Sequence, residues 1–169
     1  MPSNATAVAA SFESMFRQPS LTDALAQQFG EVRLEVRSQR ETQASPPRFA
    51  ELLHTRGALL ERRIRLHVPI AGAWTPIVCA VSWIDREALS VDSREALAAG
   101  KRMLGEVLAA EPGLAIVEAG LERGIAPEIG VELNADQDAS LWLRWRYWSK
   151  EPGRAAVLLL ETALVTLPG

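Results

Sequence analysis

The sequence predicts an α+β fold, a single antiparallel β-sheet with helices packed against it. Three observations carry this. Residues 58–68 alternate strictly: Ala58, Leu60, Arg62, Ile64, Leu66 and Val68 fall on one side, Leu59, Glu61, Arg63, Arg65 and His67 on the other. One face of that strand is dry apart from a single guanidinium and the other is wet, the pattern of an antiparallel strand with one solvated side. Residues 31–37 (Glu-Val-Arg-Leu-Glu-Val-Arg) alternate without a fault, a second half-buried strand. Helical spacing with capping signals appears at residues 20–30 and 93–110, between the strand-like runs.

Taken in order, residues 3–17 carry a helical apolar stripe of Val8, Phe12, Met15 and Phe16, which Pro19 interrupts. Ser20 caps a second helix with Asp23 three residues on, Leu21, Leu25 and Phe29 line one side, and Gly30 ends it. After the 31–37 strand, residues 39–47 are polar and end in Pro46-Pro47, which reads as a surface loop able to act as a flap. Residues 48–54 form a short helical turn. Ala71-Gly72-Ala73 is a small-residue turn leading into a third strand over residues 74–84, with Pro76 marking an edge or an irregular entry. Ser93-Arg94-Glu95 opens a helical region that Gly100 divides, with Leu104, Val107 and Leu108 facing inward, and Pro112-Gly113 closes it. Residues 114–121 are a fourth strand, and a Gly/Pro/Asn/Asp-rich connection runs to Asp138. Residues 141–148 form a strand with large side chains on both faces, Lys150-Glu151-Pro152-Gly153 a hairpin turn, and residues 154–164 the return strand.

The bulk numbers narrow the function. A chain of 169 residues is expected to be one domain, residues 1–169, with a sizeable core. A net charge of -3 argues against a nucleic-acid binder that works by general attraction. The arginines between Arg33 and Arg65 are interleaved with acids and read as solvated strand faces. Cys79 is the single cysteine, so no internal disulfide forms and a reducing compartment fits. His54 and His67 are too few for most metal clusters, and neither metal nor organic cofactor is expected. No apolar run reaches the ~18 residues of a membrane span and no signal-peptide layout opens the chain; a cytoplasmic monomer is the expectation. GxSxG, GxGxxG and GxxxxGK[ST] patterns are absent. Trp142, Trp145 and Trp148 with Arg144 and Arg146 suggest base stacking superficially. Core tryptophans with an exposed arginine pair are the better reading at strand spacing.

Two charges stand out against this background. Arg62 points into a core, cannot lose its charge, and must meet an anion of the protein or of a ligand. A structural ion pair, or an arginine snorkelling to the sheet edge, would also serve. Glu161 follows six consecutive apolar residues and precedes Thr162-Ala163-Leu164, so it is either paired or shifted toward its neutral form. Meeting water at the rim, or bridging Arg62 directly, would also account for it. Together the two charges describe a pocket for a small organic acid whose carboxylate an arginine grips.

Four stretches, in order over residues 18–168, resemble the bacterial chorismate pyruvate-lyase family. They are Ser20-Leu21-Thr22-Asp23-Ala24-Leu25 with Phe29-Gly30; Arg62-Arg63-Ile64-Arg65-Leu66; Gly100-Lys101-Arg102-Met103-Leu104-Gly105; and Gly153 through Leu160-Glu161. The resemblance implies helical flaps over a buried pocket. It implies an enzyme that eliminates pyruvate from chorismate to leave 4-hydroxybenzoate for ubiquinone synthesis. Arg62 and Glu161 would be its catalytic residues, Arg62 holding the ring carboxylate and Glu161 meeting the 4-oxygen and donating a proton to it. Leu21 and Leu104 would complete the ligand contacts. The chain departs from the family after Trp74, where Thr75-Pro76 replaces the expected arginine segment, and after Gly153, where Arg154-Ala155 follows instead of proline. A non-catalytic binding domain for a small aromatic or sugar acid, such as the effector domain of a transcription regulator, is the alternative on the same scaffold. The lack of a legible helix-turn-helix weighs against it.

Overall fold

Six antiparallel strands form one sheet in the order β1-β2-β3-β6-β5-β4. The strands are β1 (Arg33–Thr42), β2 (Leu59–Ile70), β3 (Ala73–Ile84), β4 (Ala115–Gly124), β5 (Leu141–Glu151) and β6 (Arg154–Leu164). The computed structural model describes residues 13–44, 46–53 and 57–165. The sheet is two meanders, β1-β2-β3 and β4-β5-β6, joined where β3 pairs with β6. The predicted fold class is the observed one. Of the expected first helix, residues 13–16 are helical, while Val8 and Phe12 lie outside the described residues, as does His54.

Local chemistry explains the elements. The helix α1 (Leu21–Phe29) starts where the Ser20 hydroxyl accepts from the Asp23 N–H at 3.2 Å, and it stops at Gly30, whose φ is 91°. The region expected to be divided by Gly100 is two helices, α2 (Val91–Ala99) and α3 (Leu104–Ala109); Gly100 takes φ 69° between them. Ala71 and Gly72 both have positive φ, 51° and 80°, as a two-residue hairpin turn matched to strand twist requires. Pro76 coincides with a shift in the β2–β3 register between Leu66 and His67, so the proline is absorbed by an irregularity in a central strand rather than by an edge.

Two expectations are corrected. Residues 39–42 are not loop: β1 continues to Thr42, pairing Gln39 with Arg62 and Thr42 with Leu59 beyond a bulge at Arg37. A polar edge strand holds because its charges find partners, Arg40 with Glu61 at 3.2 Å and Glu41 with Arg86. The odd-numbered face of β2 is not open to water either. Glu61 is 4% exposed, and Arg65 donates to both Glu35 carboxylate oxygens, at 2.8 and 3.0 Å, with His67 at 2.7 Å from one of them. These bonds, Arg65 first and His67 next, hold the Glu35 carboxyl down at about 2. A turn at Ala50–Leu52 and the segment α4 (Pro127–Gly130) with the 3-10 turn Val131–Leu133 cover this side. Beneath them Leu59, Val81, Trp83, Trp145, Leu158 and Leu160 form a core cluster, with Trp83 and Trp145 stacked. Ion pairing across strands lets a charged face be half-buried, which alternation alone does not reveal.

The opposite face carries the site. There α1 packs Leu21 and Leu25 on Leu66, Val68, Val78 and Trp142. Helices α2 and α3 pack Leu97, Val107 and Leu108 on Ala80, Ile84, Trp148 and Leu159.

Candidate functional site

Between those two helical groups the sheet keeps a cavity of about 380 Å³, walled by β2, β3, β5 and β6 below and by the starts of α1 and α3 above. This lies at the lower end of the usual range for small-molecule sites, roughly 300–1,000 Å³. Arg62, Glu161, Leu21 and Leu104 all line it. Leu21 and Leu104 are each the first residue of their helix, so the two helix entries meet over the sheet.

Strand register explains how distant residues arrive together. Arg62 stands opposite Ser82, Ser82 opposite Leu159, and Leu159 opposite Arg146. One step along, Ile64, Ala80, Glu161 and Arg144 form the next row. Since side chains two apart share a face, both rows point at the same helices.

Arg62 is 2% exposed. Its Nη2 donates to the Arg102 carbonyl at 2.8 Å, just ahead of α3, while its buried Nε has no hydrogen-bond partner among the described residues. Burial pulls its pKa below the ordinary guanidinium value, the signature of a charge removed from water without a full counter-charge.

Glu161 does not bridge Arg62 and does not meet the solvent at a rim. It is 6% exposed; its Oε1 accepts from Nε of Arg144 at 3.0 Å and is ion-paired with Nη2 of Arg144 at 2.9 Å and Nη2 of Arg146 at 2.6 Å. All of these contacts fall on one carboxylate oxygen. An oxygen engaged by two guanidiniums makes this side chain an acceptor.

The arginine pair of β5, expected on the surface, is therefore buried: Arg144 is 1% exposed and Arg146 5%. Arg144 also donates to the carbonyls of Phe16 and, at 2.9 Å, Gln18, and Arg146 donates to the Pro19 carbonyl at 2.9 Å. Burial lowers the Arg144 pKa against the opposing pull of Glu161. Arg146 lines the cavity with Ser82, and neither was foreseen as a site residue. The available signal was the spacing Trp142-Arg144-Arg146-Trp148, one strand face bearing two cations. What hid it was the reading of that arginine pair as exposed, which the spacing within one strand cannot test.

No group of three or more His, Cys, Asp or Glu among the described residues is placed to hold a metal ion. No described helix is long and apolar enough to cross a membrane.

No protein-family model matches the chain, and no curated protein does. Solved structures match in fold. The effector domain of PhnF from Mycobacterium smegmatis aligns at a TM-score of 0.62 and 14% identity, over 86% of this chain and 88% of that one. The C-terminal domain of the histidine utilization repressor from Pseudomonas syringae pv. tomato gives 0.57 at 13% identity, over 82% and 97%. A ligand-binding domain from Bordetella bronchiseptica, assigned to a GntR-family transcriptional regulator, gives 0.58 at 20% identity, over 80% and 83%. The chain thus shares its fold, α+β with one antiparallel six-stranded sheet, with these effector and ligand-binding domains. At such identities the likeness concerns fold, and function has to be argued from the site.

Proposed function

We propose that the chain binds a small organic acid in the cavity between its sheet and the helix entries, without transforming it. The observation that carries this is Arg62: a guanidinium 2% exposed, its Nε unmet among the described residues, on the wall of a mostly apolar cavity. A buried cation with a free donor is costly until an anion reaches it. The ligand's acidic group supplies that anion, Leu21 and Leu104 close on its body, and Glu161 Oε2 accepts from a hydroxyl. The solved structures of like fold, among them a ligand-binding domain and an effector domain, support the binding reading over the lyase reading.

The second reading, a chorismate pyruvate-lyase, is favoured by one observation: the four residues that the family resemblance singles out line one cavity. Against it, the lyase role asks Glu161 to give a proton to the departing oxygen, whereas its contacts with Arg144 and Arg146 dispose it to accept. Two measurements separate the readings. A thermal-shift titration with 4-hydroxybenzoate raises the melting temperature if the cavity takes aromatic acids, and Arg62→Ala abolishes the rise. An ultraviolet assay of chorismate stays flat for a binder; pyruvate release that depends on Arg62 would establish the enzyme instead.

A further inference from the structure

We propose that the cavity's occupant carries two acidic groups, one held by Arg62 and the other by Arg146; this rests on the organic-acid reading of the cavity. Arg62, Ser82, Leu159 and Arg146 form a single row across β2, β3, β6 and β5. Three strand spacings of ~4.8 Å put the end Cα atoms ~14 Å apart before the side chains turn inward. At each end stands a guanidinium that lines the cavity, 2% exposed for Arg62 and 5% for Arg146. Each has a buried Nε without a hydrogen-bond partner among the described residues.

The charges of the site point the same way. Arg144 is absent from the cavity wall; its Nε donates to Glu161 and its Nη1 to the carbonyls of Phe16 and Gln18, and its Nη2, without a hydrogen-bond partner among the described residues, is ion-paired with Glu161 at 2.9 Å. Arg144 and Glu161 therefore cancel, leaving Arg62 and Arg146 as two cations facing one hollow. Arg146 shares Glu161 at 2.6 Å, and its other acidic neighbour, Glu118, is 3.9 Å away with a side chain 58% exposed, so water screens it. A monoacid would answer one end of the row and leave the other unmet. A diacid answers both. Between the ends lie Ser82 and Leu159, a floor suited to a single ring or a short chain.

Titration calorimetry on the whole chain tests this with matched probes: benzoate against terephthalate, and hexanoate against adipate. The expected result is that the diacid of at least one pair binds about tenfold or more tightly than its monoacid, the ratio one charge-assisted contact supplies. Arg146→Gln removes that ratio, bringing the diacid down to the monoacid, whereas Arg62→Gln weakens both acids. Should Arg146→Gln fail to fold, the wild-type protein still decides: diacid affinity must fall more steeply with salt than monoacid affinity. Equal binding of acid and diacid in both pairs overturns the two-anion inference and leaves the organic-acid reading standing. No binding of any of the four overturns both.

Discussion

Replacing Glu161 by Gln keeps the shape of the side chain and removes the charge between two buried arginines. In the folded protein the side chains of Arg144 and Arg146 are 1% and 6% exposed and converge on one oxygen of a carboxylate 7% exposed. Water cannot replace the lost charge, and the two guanidiniums are left as like charges side by side. Removing one partner from a buried ion cluster costs about 3–5 kcal/mol; the amide oxygen still accepts, so about 3 kcal/mol is expected. For a chain of 169 residues that corresponds to a melting temperature lower by roughly 10 °C. Urea titration at neutral pH, followed by tryptophan fluorescence, measures it through the shift in midpoint. The triple variant Arg144→Met, Arg146→Met, Glu161→Leu removes the whole cluster and should recover most of the loss, since exchange of a buried ionic cluster for apolar groups is often neutral. A Glu161→Gln protein within about 1 kcal/mol of wild type would refute the claim that these arginines depend on this carboxylate.

Other perturbations probe the frame around the site. Burial would raise the Glu111 carboxyl, but hydrogen bonds from Ser90, Ser93 and Lys150 outweigh it and hold the group at about 2 against an ordinary 4.5. Because the folded value is the lower one, its stabilisation is complete above pH 4.5 and is lost as pH falls toward 2. It amounts to about 3 kcal/mol, so Glu111→Gln should flatten the acid limb of a stability–pH curve; an unchanged limb would discount the cluster. Leu25 is 0% exposed on the inner side of α1, and Leu25→Ala should cost about 2–5 kcal/mol in urea titration, with a loss under 1 kcal/mol showing that α1 is loosely seated. Cys79 is 1% exposed, and burial pushes its thiol up to about 11. Iodoacetamide should therefore spare it in the folded protein and label it on unfolding, and rapid labelling of the native chain would contradict the packing of β3.

What could be read beforehand was what repeats. The strand over residues 154–164 coincides with β6 at both ends, and the turn at Gly72 and the break at Gly100 fall where backbone preference places them. Residues 39–42 were missed because an edge strand needs no apolar side chains when Arg40 and Glu41 find partners on β2 and beyond β3. The strand over residues 141–148 was recognised but its arginines were assigned to solvent. Alternation says which side chains share a face. Which of the two faces receives helices depends on register with β6, and Arg144 faces Glu161 only through that pairing. The same holds for the row joining Arg62 to Arg146, whose members are 84 positions apart in sequence and meet through two intervening strands.

Arg62, Arg144 and Arg146 fasten the chain by gripping main-chain oxygens, those of Arg102, of Phe16 and Gln18, and of Pro19 in turn. Every residue type presents a carbonyl, so the side chains of these two straps can be exchanged without undoing their moorings. Selectivity at the mouth of such a hollow can drift from one descendant to another while the closure itself stays in place.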